Sequence, residues 1–367
     1  MTTISAATVD IWPQPEPPGD TTRAVLFKEH GGPEVLYVGS VPTPTPGPAD
    51  VLIRVAAVSV GRTLDLLARS GRGPYRDFPL PHVLGAEHAG VVVAVGSDVT
   101  QHKIGDHVAV FPIISYDDPV VRPRYPELSP ASGMLGITLP GAYKDHIAVP
   151  ASNAFPVPAG MSPADAVAVA LAGVVGLTQL ERAGYERGQR VVVQGASSAL
   201  GSTTALLAKH LGARVVVTSR DTSKRERLAA LGFETVLDSG SKTLADELRG
   251  VFDGEGADIV IDNLGDRDLW EQGMAALAPG GAIVSSGAFL SPRVDIDLRR
   301  LYRWGHRVIG VLTGHKEAAP RLWGEVEAGF RSVVDRTFPL EDAGTAHAYM
   351  EAGNGVGRVA LLNYVPS

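Results

Sequence analysis

The residues with the clearest capacity for chemistry stand in one turn. Between the valine runs at 191–193 and 215–217 the chain reads G-A-S-S-A-L-G, which sets Gly195, Ser198 and Gly201 at three-residue spacing. A short β-branched run suits a strand buried on both faces. Residues 202–211 have helical composition, and Gly212 stands where a helix C-cap glycine belongs. Strand, glycine turn, helix and strand make a βαβ unit. Its helix amino terminus offers free N–H groups and the positive end of a dipole to a pyrophosphate. Gly195, Ser197, Ser198 and Gly201 are therefore read as a dinucleotide cradle, with Ser197 as a phosphate donor. Ser198 and Ala199 occupy positions where glycines are common. An ordinary buried turn of another α/β protein is the alternative, and the flanking strands and helix weigh against it.

The second strand of the unit ends at Thr218-Ser219-Arg220, and the first acid after it is Asp221. A unit built for NADH places an acid near the strand end to bond the ribose 2′-hydroxyl. A 2′-phosphate instead needs donors and positive charge. Ser219, Arg220 and Lys224 supply both, so NADPH is the expected cofactor. The alternative is that Arg220 and Lys224 only solvate a helix start.

With 367 residues, 44% hydrophobic and 20% charged, the chain is sized for two medium domains. A net charge of −7 argues against a nucleic-acid partner held through phosphates. No cysteine is present, which excludes disulfides, thiolate zinc sites and cysteine nucleophiles. No apolar run is expected to reach transmembrane length, and the opening residues are not read as a basic-then-apolar leader. A cytoplasmic enzyme with a small-molecule substrate is expected, with no membrane partner. Residues 1–21 read as a flexible Pro-rich extension.

The chemistry must be positioned by the remaining elements. Residues 23–28, 51–58, 85–95, 103–111 and 142–149 are strand-like, with a Pro-rich connection at 41–48, and suggest a partly open barrel. A helix is predicted over 163–180, with Ser162 as its N-cap and Pro163 at its first position. Strands at 191–193, 215–217, 235–237, 258–262 and 282–286 then alternate with helices near 202–211, 223–231, 242–250 and 268–278. That alternation predicts a doubly wound parallel sheet in an α/β chain. A helix at 321–332 and a strand at 358–364 return to the first domain.

At this point the residues resemble the medium-chain dehydrogenase/reductase superfamily. The resemblance runs from about residue 22 to 364. It is carried by LPHVLGAEHAGVVVAVGSDV (80–99), IGDHVAV (104–110), GAYKDHIAVP (141–150), the 190–220 unit, ADIVIDNLG (257–265), LAPGGAIVSSGA (277–288) and the segment 335–361. It implies a GroES-like barrel domain (22–155 and 321–367), a Rossmann domain (156–320) and a cleft between them. It also implies a homodimer or homotetramer, and backbone near the nicotinamide at Asn263, Ser286, Gly287, Leu312 and Thr313. Where zinc-dependent members hold the catalytic metal, this chain has Arg62, Ala86 and Leu171, and the lobe at 112–140 has no cysteine. Such residues cannot hold zinc, so no metal is expected and the chain is similar to the zinc-independent branch, near quinone oxidoreductases and enoyl reductases.

Without a Lewis acid, hydrogen bonds and fixed charges must stabilise a developing oxyanion. A conjugated enone eases that demand by spreading charge over an enolate. Arg62 is a candidate electrophile; alternatively it pairs with Glu87 and fills the vacant site. Tyr75 is a candidate proton donor to the enolate, or a tyrosine at the cleft rim. His88 reads as a structural histidine beside Glu87, Asp65 as a fixer of its loop and His82 as part of a turn. Three functions stay open: NADPH-dependent reduction of conjugated C=C bonds or quinones, zinc-free NADPH-dependent carbonyl reduction or alcohol dehydrogenation, and non-catalytic NADPH binding.

Overall fold

The computed structural model describes residues 12–72, 78–115, 128 and 132–363. An antiparallel pair, β1 (Thr21–Leu26) and β2 (Tyr37–Pro42), opens the first domain. β3 (Asp50–Val60) is its backbone, eleven residues with most side chains buried. A π-helical turn at Arg62–Leu66 and the short α1 (Leu67–Ser70) lead towards β4 (His88–Val95). Then come β5 (His107–Val110), the pair β6 (Ile113–Ser115) and β7 (Ser132–Met134), β8 (His146–Pro150) and β9 (Ala154–Pro156). The segment 142–149 forms a strand only from His146; before it, Tyr143 crosses to β1 by a backbone bond to Val25.

α2 (Pro163–Ala183) joins the two domains. It starts as the sequence predicts: Ser162 accepts a hydrogen bond from Asp165 N at 3.1 Å, and Pro163 is its first residue. One expectation needs correcting here. This helix has 21 residues and a mean hydropathy of 1.5 over its most apolar window, so by length and composition it could cross a membrane. Of that window 89% is buried within the fold, packed on β3 and β4 on one side and the second domain's helices on the other. Being apolar all round is what a central core helix requires.

The second domain alternates strand and helix: β10 (Arg190–Gln194), α3 (Ala199–His210), β11 (Arg214–Ser219), α4 (Thr222–Ala230), β12 (Thr235–Asp238), α5 (Leu244–Val251), β13 (Ala257–Asp262), α6 (Arg267–Ala276), β14 (Leu277–Ser285), α7 (Leu298–Trp304) and β15 (Arg307–Gly310). All six strands are parallel in the order β12-β11-β10-β13-β14-β15. The order reverses between β10 and β13, and ligands of such sheets sit at that switch point, beyond the strands' carboxyl ends.

The chain then returns. α8 (Ala319–Glu327) ends earlier than the predicted 321–332 helix, with Ala328 as its C-cap just before Gly329, whose φ is +105°. β16 (Val334–Pro339), α9 (Ala343–Ala352) and β17 (Arg358–Leu362) follow, and β17 pairs with β3 in the sheet β16-β17-β3-β4-β5-β9. The expected flexible extension is also corrected for residues 12–20. Trp12 is 8% exposed, its ring stacks on His107 at 4.2 Å, and its indole N–H donates to Met161 O at 3.1 Å. One large aromatic side chain with a polar partner is enough to dock a polar, Pro-rich segment.

Candidate active site

The turn after β10 is built as a cradle. Ser198 caps α3: its hydroxyl accepts from Gly201 N at 3.0 Å and donates to Gly195 O at 3.0 Å. Gly195 has φ +66°, and a Cβ there would lie 2.8 Å from the Leu264 side chain. A Cβ on Gly201 would lie 2.5 Å from Gly195 O, so only glycine lets the helix approach the turn this closely. Ser197 is half-buried, and its carbonyl accepts from Gly357 N at 3.2 Å, which ties the turn to the returning segment before β17. The serine that departs from the glycine-rich pattern is thus the helix cap.

At the end of β11, Ser219 is buried, and Arg220 is exposed and forms no ion pair among the described residues. Asp221, the first acid, is committed to capping α4: it accepts from Lys224 N at 3.0 Å and from the Ser223 hydroxyl at 2.7 Å. Arg225 braces the same corner through the Ser219 and Arg220 carbonyls at 3.0 and 2.9 Å. Lys224 is half-buried, and burial lowers its pKa, with Asp221 opposing and Arg62 adding to the shift. Lys224 of the second domain and Arg62 of the first therefore share one electrostatic neighbourhood.

Beyond β13 and β14, Asn263 Oδ1 accepts from Ser286 N at 2.9 Å and from Gln179 Nε2 at 2.8 Å. Gln179 Nε2 also reaches the Ser286 hydroxyl at 2.7 Å. Gln179 is fully buried on α2 and was not legible as a site residue, because a polar side chain inside an apolar helix carries no motif. Asn263 Nδ2 is left buried without a partner. A Cβ on Gly287 would come within 2.9 Å of Asn263 O, so this corner is tight. Leu312 is 51% exposed and Thr313 is buried, on the segment that Gly314 seats against α2.

On the barrel side the decisive group is Glu87, 2% exposed. It receives Arg358 at 2.6 and 2.9 Å through two guanidinium nitrogens, and the Ser59 hydroxyl at 2.5 Å. The expected Arg62–Glu87 pair is not formed. Arg62 instead donates to Met350 O and lies over the Phe289 ring at 5.7 Å. Burial lowers its pKa, partly offset by the nearby Glu351 carboxylate. The physical reason is competition: β17 brings Arg358 alongside β3, bidentate and buried, so both carboxylate oxygens of Glu87 are engaged and its charge is already matched. Sequence reasoning missed Arg358; its only signal was an arginine at the start of a strand.

Asp65 holds the loop beside this pair. Its carboxylate accepts from Gly61 N at 2.7 Å and Gly85 N at 2.9 Å, and burial raises its pKa to about 7. Behind it runs a buried relay. Arg69 Nη1 donates to His347 Nδ1 at 3.1 Å, so the ring hydrogen sits on Nε2 and points to the Tyr143 hydroxyl at 3.0 Å. Burial is the first cause of both shifts here, taking His347 down to about 3 and the Tyr143 hydroxyl well above its ordinary value. His88 is fully buried and held at about 4 by burial, as a structural histidine is. His82 bonds Gly136 O at 3.2 Å and stacks on Phe78. Tyr75 and most of the 112–140 lobe lie outside the described residues.

The two sides meet where Arg62 lies over Phe289 and Gly357 N bonds Ser197 O, and the second-domain wall there fits a dinucleotide: a cradle that a Cβ would fill, a capped helix start and an orphaned buried amide. Among the described residues, no group of three or more His, Asp or Glu side chains is set to hold a metal.

Comparisons with known proteins agree with this architecture. Residues 47–159 match a family model described as alcohol dehydrogenase GroES-like domain, and 199–328 match one described as zinc-binding dehydrogenase. A quinone oxidoreductase of Pseudomonas aeruginosa is 29% identical, over 93% of this chain and 99% of its own. Alcohol dehydrogenase 1 of Emericella nidulans is 30% identical, over 92% and 97%. A 2-haloacrylate reductase of Burkholderia is 27% identical, over 92% and 98%. The crystal structure of an NAD-dependent alcohol dehydrogenase superposes with a TM-score of 0.84 at 31% identity, covering 93% of this chain and all of that one.

Proposed function

The chain belongs to the medium-chain dehydrogenase/reductase superfamily as an oxidoreductase with a nicotinamide cofactor, and from that premise we propose zinc-independent, NADPH-dependent reduction of a conjugated C=C bond or a quinone. NADPH, when bound, supplies the hydride. The observation that carries the proposal is the donor set at the barrel site. Arg62, Ala86 and Leu171 offer zinc no ligand, and the two buried carboxylates beside them are engaged, Glu87 by Arg358 and Ser59 and Asp65 by the Gly61 and Gly85 amides. Lacking a Lewis acid, the site favours acceptors whose negative charge spreads during reduction. Arg62, over the Phe289 ring, supplies the fixed positive charge there. The similarity to a quinone oxidoreductase and a 2-haloacrylate reductase supports the same class of acceptor.

For the cofactor, support comes from the β11 corner. Ser219, the exposed Arg220 and Lys224 offer donors and charge to a 2′-phosphate, while Asp221 is drawn into the α4 cap and away from a ribose hydroxyl. The Gly195–Gly201 turn, with Ser197 and the Ser198 cap, takes the pyrophosphate, and Asn263, Ser286, Gly287, Leu312 and Thr313 line the nicotinamide end. Glu87 acts by fixing Arg358 and β4. Tyr75 is proposed as the proton donor on sequence alone.

The test is anaerobic oxidation of NADPH with 2-cyclohexenone, with NADH run alongside and products identified by mass spectrometry. Saturated ketone from NADPH is the expected outcome. The similarity to two alcohol dehydrogenases favours a second reading, carbonyl reduction, whose mark is the allylic alcohol. Cofactor binding with no turnover of any enone, quinone or ketone would leave a non-catalytic binder.

A further inference from the structure

The carboxyl ends of the parallel strands form the site described above. Their amino ends form something else. Around the starts of β10, β14 and β15 lies a second cleft of about 690 Å3, walled by Arg190, Arg249, Arg300, Trp304 and His306 with Leu277 to Pro279 as its apolar side. Because β10 runs from Arg190 towards Gly195, this cleft is a full strand length from the dinucleotide cradle and shares no residue with it.

Its charge is uneven. Arg190 is neutralised by Asp258 at 2.7 Å and by Glu255, the one carboxylate in the lining. Arg249 and Arg300 have no such partner among the described residues. Arg249 donates to Ala275 O and Leu277 O, and Arg300 Nη2 donates to Ala275 O at 2.8 Å. Carbonyls orient a guanidinium but do not cancel its charge.

Its buried donors are also unspent. His306 is 7% exposed, and neither ring nitrogen has a hydrogen-bond partner; the Ala278 backbone stands beside the ring outside hydrogen-bond geometry. Arg300 Nε is buried and unpartnered as well. A buried polar group left unpaired is costly, and the neutral His306 ring offers one N–H donor, so with Arg300 Nε two unspent buried donors stand around one cleft and call for an acceptor. Two free guanidiniums select an oxyanion, and Trp304, 46% exposed at the rim, offers a flat face to whatever carries it.

We propose that this cleft is a second, non-catalytic binding site for a small molecule bearing a carboxylate or phosphate on an aromatic or apolar body. The oxyanion sits between Arg300, Arg249 and the imidazole N–H of His306, and the body lies on Trp304 and Pro279. Nothing in this assignment depends on which acceptor the catalytic cleft reduces.

The experiment is isothermal titration of 1-naphthyl phosphate and 1-naphthoate into the full chain, with NADP+ and NAD+ both present to occupy the dinucleotide cradle. The two probes separate phosphate from carboxylate, and 1-naphthalenemethanol is the uncharged control. One saturable site is expected for at least one anion, with the alcohol weaker by about tenfold or more. Arg300→Gln and Trp304→Ala should each weaken the anion by a similar factor and leave NADP+ affinity unchanged. Trp304→Ala alters a half-exposed rim residue, so it reports even where Arg300→Gln unfolds the chain. Absence of saturable binding, or equal binding by the alcohol or by the Trp304 variant, overturns the proposal. So does an Arg300→Gln protein that binds normally but changes oligomeric state, which would make the cleft a subunit contact.

Discussion

Replacing Arg358 with methionine removes one half of an ion pair whose side chains are 7% and 3% exposed. Glu87 keeps the Ser59 hydroxyl at 2.5 Å but loses both guanidinium bonds, leaving a carboxylate sealed in the barrel wall. Breaking a buried pair from one side costs about 3–5 kcal/mol, mostly the desolvation of the stranded charge. At about 2–4 °C of melting temperature per kcal/mol for a sizeable domain, the variant should melt roughly 10 °C below the parent. The control is the double variant Glu87→Gln/Arg358→Met, which removes both charges and should recover most of the loss, since a buried pair replaced as a unit is often near neutral. Urea midpoints of parent, both single variants and the double close a cycle whose coupling term is the pair itself. If Arg358→Met lies within about 1 kcal/mol of the parent, or the double variant is the sum of the singles, then Glu87 is not held by Arg358 as described.

Four further outcomes follow from the same coordinates. Gly201→Ala sets a Cβ 2.5 Å from Gly195 O, so it should shift α3 and weaken the dinucleotide at least about tenfold by fluorescence titration; unchanged affinity would show that the cradle tolerates the methyl. Ser198→Ala should cost about 1 kcal/mol in urea through loss of the α3 cap. Arg220→Ala should raise KM for NADPH and leave KM for NADH unchanged, and equal effects on both would sink the 2′-phosphate assignment. His88 and His347 have folded pKa values depressed to about 4 and about 3, so their stabilisation is present above the unfolded value near 6.5 and is lost as pH falls through that window. Asp65, raised to about 7, acts oppositely and withdraws stability as pH climbs from about 4 towards 7. Stability should therefore drop on acidification below pH 6.5, and His88→Leu should flatten that limb in urea midpoints taken across pH.

How much of this could be read without coordinates depends on how far each interaction reaches along the chain. The Rossmann half was legible because its signals are local. Valine triplets at 191–193 and 215–217 become β10 and β11, and Gly195, Ser198 and Gly201 make the turn with bonds spanning three residues. The N-caps at Ser162 and Ser198 obey the same short-range logic. The barrel side was not legible in the same way, because its key contacts join distant segments. Glu87 meets Arg358 across 271 positions, and Tyr143 meets His347 across 204. By motif Arg62 is the nearest cation to Glu87, and nothing local marks Arg358, 271 positions away, as the true partner. Trp12 shows the same limit: polarity and prolines described its segment correctly, but one aromatic contact with Met161, 149 residues on, decided whether it docked. α2 adds a final case, since an all-apolar helix reads alike whether lipid or protein surrounds it, and only packing between β3, β4 and α3 distinguishes the two. The consequence for function is specific. Cofactor chemistry rests on the local half of the molecule and acceptor chemistry on the non-local half. On the function proposed above, the acceptor is thus governed by where β17 carries Arg358 and where α9 carries Met350, whose carbonyl accepts from Arg62.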